Sequence, residues 1–369
     1  MIERPKVFDC FSGLGGLSIG ADMAGMEVVG GVDADPDAVA VFKSVFPLAK
    51  TLHHDLLTEN PSKILSKASI FRGDVDILMG GPPCQPYSIN NHQRGTHDAR
   101  CGLVKSYLGF VSYLQPEWIV MENVPGFASI EGGKFLKELI ISLRARGYKS
   151  RHTILSATRF GVPQRRRRLI ILAAKDDDAL EKITSNLLTI DHRCISVEEA
   201  IGDLPHKITE ADTYTKPAKN DFQKLMRKSA SKEIQGHSCT NLGKTNLERV
   251  KHIPPGGNWR DIPRELLPAG MRRAKLSDHT TRYGRLVSNE PSYTLLTKCD
   301  PHWGCFIHPR EDRVLTTREA ARLQSIPDRV ILPESLIASY RLIGNAVPPL
   351  LAKGILESIL EHSRPTVIG

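Results

Sequence analysis

Cys84 stands in the run Gly80-Gly81-Pro82-Pro83-Cys84-Gln85-Pro86-Tyr87-Ser88, directly after the apolar stretch Val75 to Met79. That stretch has the length and composition of a buried strand. Two glycines end it, and two prolines hold the following backbone in one stiff, extended form. A thiol presented there lies at the carboxyl end of a strand, where open α/β sheets bind their ligands, and as a thiolate it would be a nucleophile. The bland alternative is a buried turn with an incidental cysteine. Two other groups can serve such a thiolate. Glu122 follows the apolar Trp118-Ile119-Val120-Met121, so it would end a strand beside the one that leads to Cys84. Gln164-Arg165-Arg166-Arg167-Arg168 precedes the apolar Leu169 to Ala173, and strand alternation would send some of its arginines inward; otherwise the run is a solvated or phosphate-binding face.

A second set of residues concerns a cofactor. Val7 to Phe11 reads as a strand, and Ser12-Gly13-Leu14-Gly15-Gly16-Leu17-Ser18-Ile19-Gly20 as a glycine-rich turn entering a helix that runs to about Met23. Such a turn lets a ligand lie against backbone N–H groups, although its glycines miss the strict dinucleotide spacing. The next strand, Glu27 to Val32, ends in Asp33, placed to accept from ribose hydroxyls or to cap the helix that begins near Pro36. Asp55, in His53-His54-Asp55-Leu56, can accept from an adenine amino group. Together they suggest an adenosine-containing cofactor.

These residues need a sheet to position them, and a chain of 369 residues is long enough for two domains or for one with a large insertion. Composition is that of a globular protein, with 40% hydrophobic and 25% charged residues. No apolar run approaches the roughly 18 residues of a membrane span, the first residues do not form a signal peptide, and seven cysteines without a C-x-x-C pair suit a reducing cytoplasm. Cys299, His302, Cys305 and His308 have no standard zinc spacing, so no metal is expected. The formal charge of +9 is concentrated: residues 216 to 285 hold 16 Lys or Arg against 6 Asp or Glu. A basic segment on a near-neutral body fits a polyanion, or else a merely solvated surface.

Along the chain, helices are expected from about Leu103 to Leu114 and Lys134 to Arg146, and strands around Ser150 to Leu155 and Leu169 to Ala173. Between Asp176 and Arg310 the alternation of strands and helices gives way to an irregular, Pro- and Gly-rich basic insertion. A capped helix, Leu315 to Gln324, and a final apolar helix, Leu350 to Leu360, close the chain.

Six motifs in this order resemble those of the cytosine-5 DNA methyltransferases, particularly the bacterial restriction-modification type. They are Phe11-x-Gly13-x-Gly15-Gly16, Pro82-Pro83-Cys84-Gln85, Glu122-Asn123-Val124, Gln164-x-Arg166-x-Arg168, Arg318-Glu319-x-x-Arg322-Leu323-Gln324 and Gly344-Asn345-Ala346-Val347-Pro348-Pro349. The likeness runs from residue 8 to about 360 and is weak only over 176–310. It implies a Rossmann-like, S-adenosylmethionine-dependent α/β sheet with helices on both faces. Residues 1–175 with 311–369 would form this catalytic domain, and 176–310 a smaller, irregular target-recognition domain.

The resemblance also implies roles. Phe11 would pack on the cofactor's adenine, Asp33 hold the ribose and Asp55 the adenine amino group. Gly13, Leu14 and Gly15 would meet the methionine end, with Pro82, Asn345 and Val347 completing the pocket. Cys84 would add to C6 of a flipped-out cytosine, and Glu122 would bind N3 and the exocyclic amine. Arg166 would steady O2 and Arg168 help place the thiol. The loop from Ser88 to Arg100 would close on duplex DNA, and Arg282, Arg285, Thr294 and Thr297 are candidates for reading bases, or else phosphate contacts or plain surface. Asp33 replaces a commoner Glu, and Cys101-Gly102 is unusual in such a loop. A cytoplasmic monomer is expected, with a cognate restriction endonuclease acting separately. The rivals are a tRNA cytosine-5 methyltransferase, which would carry a shorter recognition region, and a catalytically silent DNA-binding regulator, which need not have kept both Cys84 and Glu122.

Overall fold

The computed structural model describes residues 4–83, 96–208, 213–214 and 216–363, with the side chains of 96–101 and 363 left aside. By compactness the chain divides into two units, one of Met1–Phe160, Arg167–Asp191 and Val347–Gly369, the other of Gly161–Arg166 and His192–Ala346.

The first unit is built on a seven-stranded sheet. Its strands are β1 (Lys6–Cys10), β2 (Glu27–Asp33), β3 (Lys50–His53), β4 (Ile77–Gly80), β5 (Trp118–Asn123), β6 (Lys149–Ser156) and β8 (Arg167–Ala174). They lie in the order β3-β2-β1-β4-β5-β8-β6. The first five are parallel, while β8 runs antiparallel to both β5 and β6. Helices α1 (Gly16–Met23), α2 (Pro36–Val45), α3 (Pro61–Lys67), α4 (Thr96–Leu114), α5 (Lys134–Arg144) and α6 (Asp177–Thr189) follow the strands, and α12 (Pro349–Ser363) closes the unit.

Strand alternation sorts the side chains. Phe8, Cys10, Leu78, Ile119, Met121 and Ile171 enter one buried cluster with Tyr107 and Phe110 of α4 and Leu136 and Leu139 of α5. The intervening residues, Asp9 and Glu122 among them, face the other way. Aliphatic strands buried on both faces are the usual product of parallel βαβ packing.

The second unit holds helices α7 (Val197–Ile201), α8 (Asp221–Arg227), α9 (Lys244–Lys251), α10 (Thr317–Leu323) and α11 (Leu336–Asn345). Its short β7 (Gln164–Arg165) pairs in parallel with β9 (Ser292–Tyr293). A core of its own gathers Val250, Ile253, Trp259, Ile262, Met271, Tyr283 and Ile307.

The units divide at residues other than 176 and 310. Helix α6 buries Leu180, Ile183 and Leu187 in the first unit, packing on β6 and α12. Helix α10 is tied into the second unit by Arg322, fully buried between Asp203 (2.9 Å) and Asp328 (2.5 Å), and by Arg318, which donates to the carbonyls of Gln235, Pro327 and Val330.

Candidate active site

Glu122 closes β5, and its position follows from register. In the antiparallel pair it stands opposite Ile170, which makes Arg168, two residues back on the same face of β8, its diagonal neighbour. Arg168 Nε lies 2.5 Å from Glu122 Oε1, and both side chains are about nine-tenths buried. Burial pulls the Arg168 guanidinium below its ordinary value, and the Glu122 carboxylate acts against that shift. A guanidinium stays charged regardless. Sequence reasoning expected Arg168 to place the thiol; the group it holds here is the carboxylate.

The end of β4 is joined to the same place. A Cβ on Gly81 would lie 3.2 Å from Glu122 Oε2, so a side chain there would press on the carboxylate. Asn123 Nδ2 donates to the carbonyl of Pro82 at 2.9 Å, and its Oδ1 accepts from the N–H of Val124. Glu122 and the start of the Pro-Pro-Cys segment therefore share one edge of the sheet. Pro82 is buried and Pro83 exposed, whereas Cys84 and Ser88 lie outside the described residues, as does the side chain of Arg100.

At the end of β1 the backbone is forced into unusual conformations. Phe11 and Gly13 have φ of 60° and 54°. A non-glycine residue held left-handed is a mark of functional turns. The Asp33 carboxylate organises this turn, accepting the Gly13 N–H at 2.8 Å and the Asp35 N–H at 2.9 Å. Asp35, not Asp33, caps α2. In front of Gly13 there is open space, with nothing among the described residues within 4 Å of where a Cβ would stand. Gly15 packs instead on Phe42 and Phe46, and Leu14 is buried. Asp55 is exposed, with Oδ1 accepting from the N–H of Leu57. Val347 lies in the first unit with its backbone against Gly16, where a Cβ on Gly16 would collide with the Val347 carbonyl.

Asp9 escaped the sequence reading. Its side chain is 1% exposed; Oδ2 accepts from the Ser18 hydroxyl at 2.7 Å, and Oδ1 has no partner. Burial raises it to about 7, and Asp33 adds to the shift. An acid inside the apolar Val7-Phe8-Asp9-Cys10 was the signal that could have found it.

The remaining candidates belong to the second unit. Arg166 is 1% exposed and donates to the carbonyls of Leu295 (3.2 Å), Gly344 (2.8 Å) and Ala346 (3.3 Å). Arg285 is buried as well, spending its donors on the carbonyls of Val250, Ile253, His308 and Glu311 and on Asp312. Both arginines hold turns together from inside, which spacing alone cannot distinguish from ligand contact. The Thr294 hydroxyl donates to the carbonyl of Arg165. Thr297 and Asn345 are exposed, and Arg282 is half-buried. Among the described residues no group of three or more His, Cys, Asp or Glu is arranged to hold a metal ion, and no helix is long and apolar enough to cross a membrane.

A mostly parallel sheet with a glycine-rich turn after its first strand, an acid ending its second and a carboxylate–arginine pair at the ends of two others is the arrangement of an α/β enzyme that binds its ligands at the strand ends. The chain matches the family described as C-5 cytosine-specific DNA methylase over residues 5–361, and it belongs to that family. It resembles relatives that include type II methyltransferases of bacteria. It is 31% identical to the type II methyltransferase M.AgeI of Thalassovita gelatinovora, across 96% of this chain and 99% of the relative. It is 32% identical to M.XorII of Xanthomonas oryzae pv. oryzae, across 98% and 86%. Among solved structures, it is similar to a protein described as a DNA modification methyltransferase encoded within an E. coli prophage, with a TM-score of 0.76 and 26% identity across 97% of this chain and 99% of the other. The S. pombe Dnmt2 methyltransferase shares the fold, with a TM-score of 0.58 and 18% identity across 97% and 99%. The family implies a methyl donor of the S-adenosylmethionine type.

Proposed function

We propose that the chain methylates C5 of a cytosine turned out of duplex DNA within one short sequence, through a covalent bond between Cys84 and C6, as the modification enzyme of a restriction-modification system. The observation that carries this is the junction of Glu122 with Gly81 and of Asn123 with Pro82, because it sets an acid beside the chain that enters the Pro-Pro-Cys segment.

The ring itself explains the residue types. C5 of cytosine is a poor nucleophile while the ring is aromatic. Addition of the Cys84 thiolate at C6 breaks that aromaticity and makes C5 enamine-like. Glu122, held by Arg168, is the group to bind N3 and the exocyclic amine and to supply a proton as charge builds on the ring. Loss of the C5 proton after methylation restores aromaticity and expels the thiolate. Because C5 and C6 are stacked inside a duplex, the base has to leave the helix first.

The cofactor we assign is S-adenosylmethionine, and the open space before a left-handed Gly13 is the feature it fits. When bound, it supplies an electrophilic methyl on a sulfonium. Asp33 would accept from its ribose, Phe11 would lie on its adenine and Asp55 would accept from the amino group. Pro82 and Val347 would bound the same pocket. We assign target recognition to the second unit, without Arg285, whose donors are already engaged.

The test is to express the chain in a bacterium lacking DNA methylation and to bisulfite-sequence its plasmid. Protected cytosines confined to one motif, absent with Cys84→Ser, are the expected result. Unprotected DNA from soluble protein would remove the DNA-methylating reading, and methylated tRNA in the same cells would move the substrate to RNA.

A further inference from the structure

The chain has three tryptophans, of which Trp118 and Trp259 are 3% exposed and Trp303 is 46% exposed. Trp303 is ordered on the surface of the second unit by its neighbours. The Arg282 guanidinium lies 5.3 Å from its ring centroid, and His302 meets it edge-on at 5.3 Å. His302 in turn packs edge-on against Tyr283 at 5.9 Å, and Tyr283 belongs to the unit's core.

Backbone bonds pin the two loops that carry this cluster. The Tyr283 N–H donates to Pro301, that of Gly284 to Gly304, and that of Trp303 to Asp300. The Trp259 indole N–H closes the far side on the carbonyl of Asp278. Burial first, and the Arg282 charge next, lower the His302 pKa, so the imidazole sits neutral between two rings. Exposed Arg272, Arg273 and Lys275 stand on the same stretch of chain as Arg282.

A singly exposed ring is ordinary on a protein surface, but this one is held by the guanidinium of Arg282, from a segment in which cations far outnumber anions, and by the His302 imidazole. The cations select a polyanion. The flat ring selects one with stacked, partly apolar edges, which is duplex DNA rather than an acidic protein. Resting on the reading of this chain as a DNA methyltransferase, we infer that Trp303, braced by Arg282 and His302, is the apolar base contact of the second unit and a determinant of sequence choice. Arg273 and Lys275 hold phosphates and carry no sequence information.

The probe is a short duplex bearing the motif found by bisulfite sequencing, with a scrambled duplex as the non-specific control. Trp303→Ala should weaken binding of the motif duplex by about 10- to 100-fold and leave the scrambled duplex unchanged. Arg273→Ala with Lys275→Ala should weaken both alike and reduce the salt dependence. Equal losses on both duplexes for Trp303→Ala, or none, would overturn the inference. Acrylamide quenching of the wild-type enzyme provides a readout that needs no variant to fold. The motif duplex should shield the one exposed tryptophan, the scrambled duplex should shield it less, and equal quenching would overturn the inference as well. A wild-type enzyme that leaves every plasmid cytosine unmethylated would remove the proposed function and this inference with it. Methylated DNA with an indifferent Trp303 would remove this inference alone.

Discussion

At the scale of single residues, the two carboxyl groups of the first unit are placed for different work. Glu122 lies at a strand end against Arg168 and Gly81, the place the proposed function gives to the substrate base. Glu122→Gln keeps the shape and loses the transferable proton. Methylation should fall by about 100- to 10,000-fold, with cofactor affinity, measured by calorimetry, unchanged. Asp9 lies deeper, and its pKa is raised from 3.8 to about 7 by burial. A raised carboxyl pKa means that the fold favours the protonated form. The stability it contributes is therefore complete below 3.8, declines as pH rises, and is gone above about 7. Asp9→Asn stays neutral throughout. Denaturant unfolding across this range should show the wild type losing ground to the variant as pH rises; parallel curves would show that Asp9 does not titrate there.

Among the elements, the turn between β1 and α1 separates two uses of glycine. Gly13 is left-handed and faces open space, so Gly13→Ala should cost about 1–2 kcal/mol of backbone strain and, beyond that, reduce cofactor affinity. Gly16 is covered by the Val347 backbone, so Gly16→Ala must push α1 away from the segment leading into α12. Its cost, about 1–3 kcal/mol of overpacking, should appear as a lowered denaturation midpoint before any ligand is added. Helix α10 shows a third use of a motif residue. Arg322 has no exposed surface and sits between Asp203 and Asp328, and the pair raises its pKa against the pull of burial. Arg322→Ala removes the cation that Asp203 and Asp328 share, while Arg227 stays on Asp203 and Tyr214 and Arg318 stay on Asp328. It should therefore destabilise the protein by less than the about 3–5 kcal/mol of an uncompensated buried charge, measured by unfolding in denaturant. A variant that unfolds like the wild type would show that the triad contributes nothing net.

For the molecule as a whole, charge is the relevant quantity. The excess of 16 cations over 6 anions between residues 216 and 285 falls within the second unit, while the first carries the sheet and the carboxylate–arginine pair. Polyanion binding by the second unit should therefore be steeply salt-dependent. The logarithm of affinity should fall against the logarithm of salt with a slope of about −0.9 for each phosphate neutralised. Fluorescence anisotropy across a salt series checks this, and a flat response would mean that the basic segment is only solvated surface.

Much of this was legible in the residues alone. The apolar runs around Phe8, Met79, Ile119 and Ile171 specify strands because central strands buried on both faces need β-branched and aliphatic residues on each. Glycines 13 and 15 mark a turn because few other residues tolerate its left-handed backbone. The order of the six motifs pointed to the family. Tertiary structure decided what each motif residue touches. Arg166 and Arg168 are two positions apart in one motif, yet the first donates to carbonyls inside the second unit and the second holds Glu122 in the first. Arg285, basic and Gly-flanked, reads like a DNA contact and is a buried brace. The difference is physical: spacing along a chain sets the face on which a side chain leaves the backbone, but only the packed neighbours determine whether its hydrogen bonds are satisfied within the protein or left for a ligand.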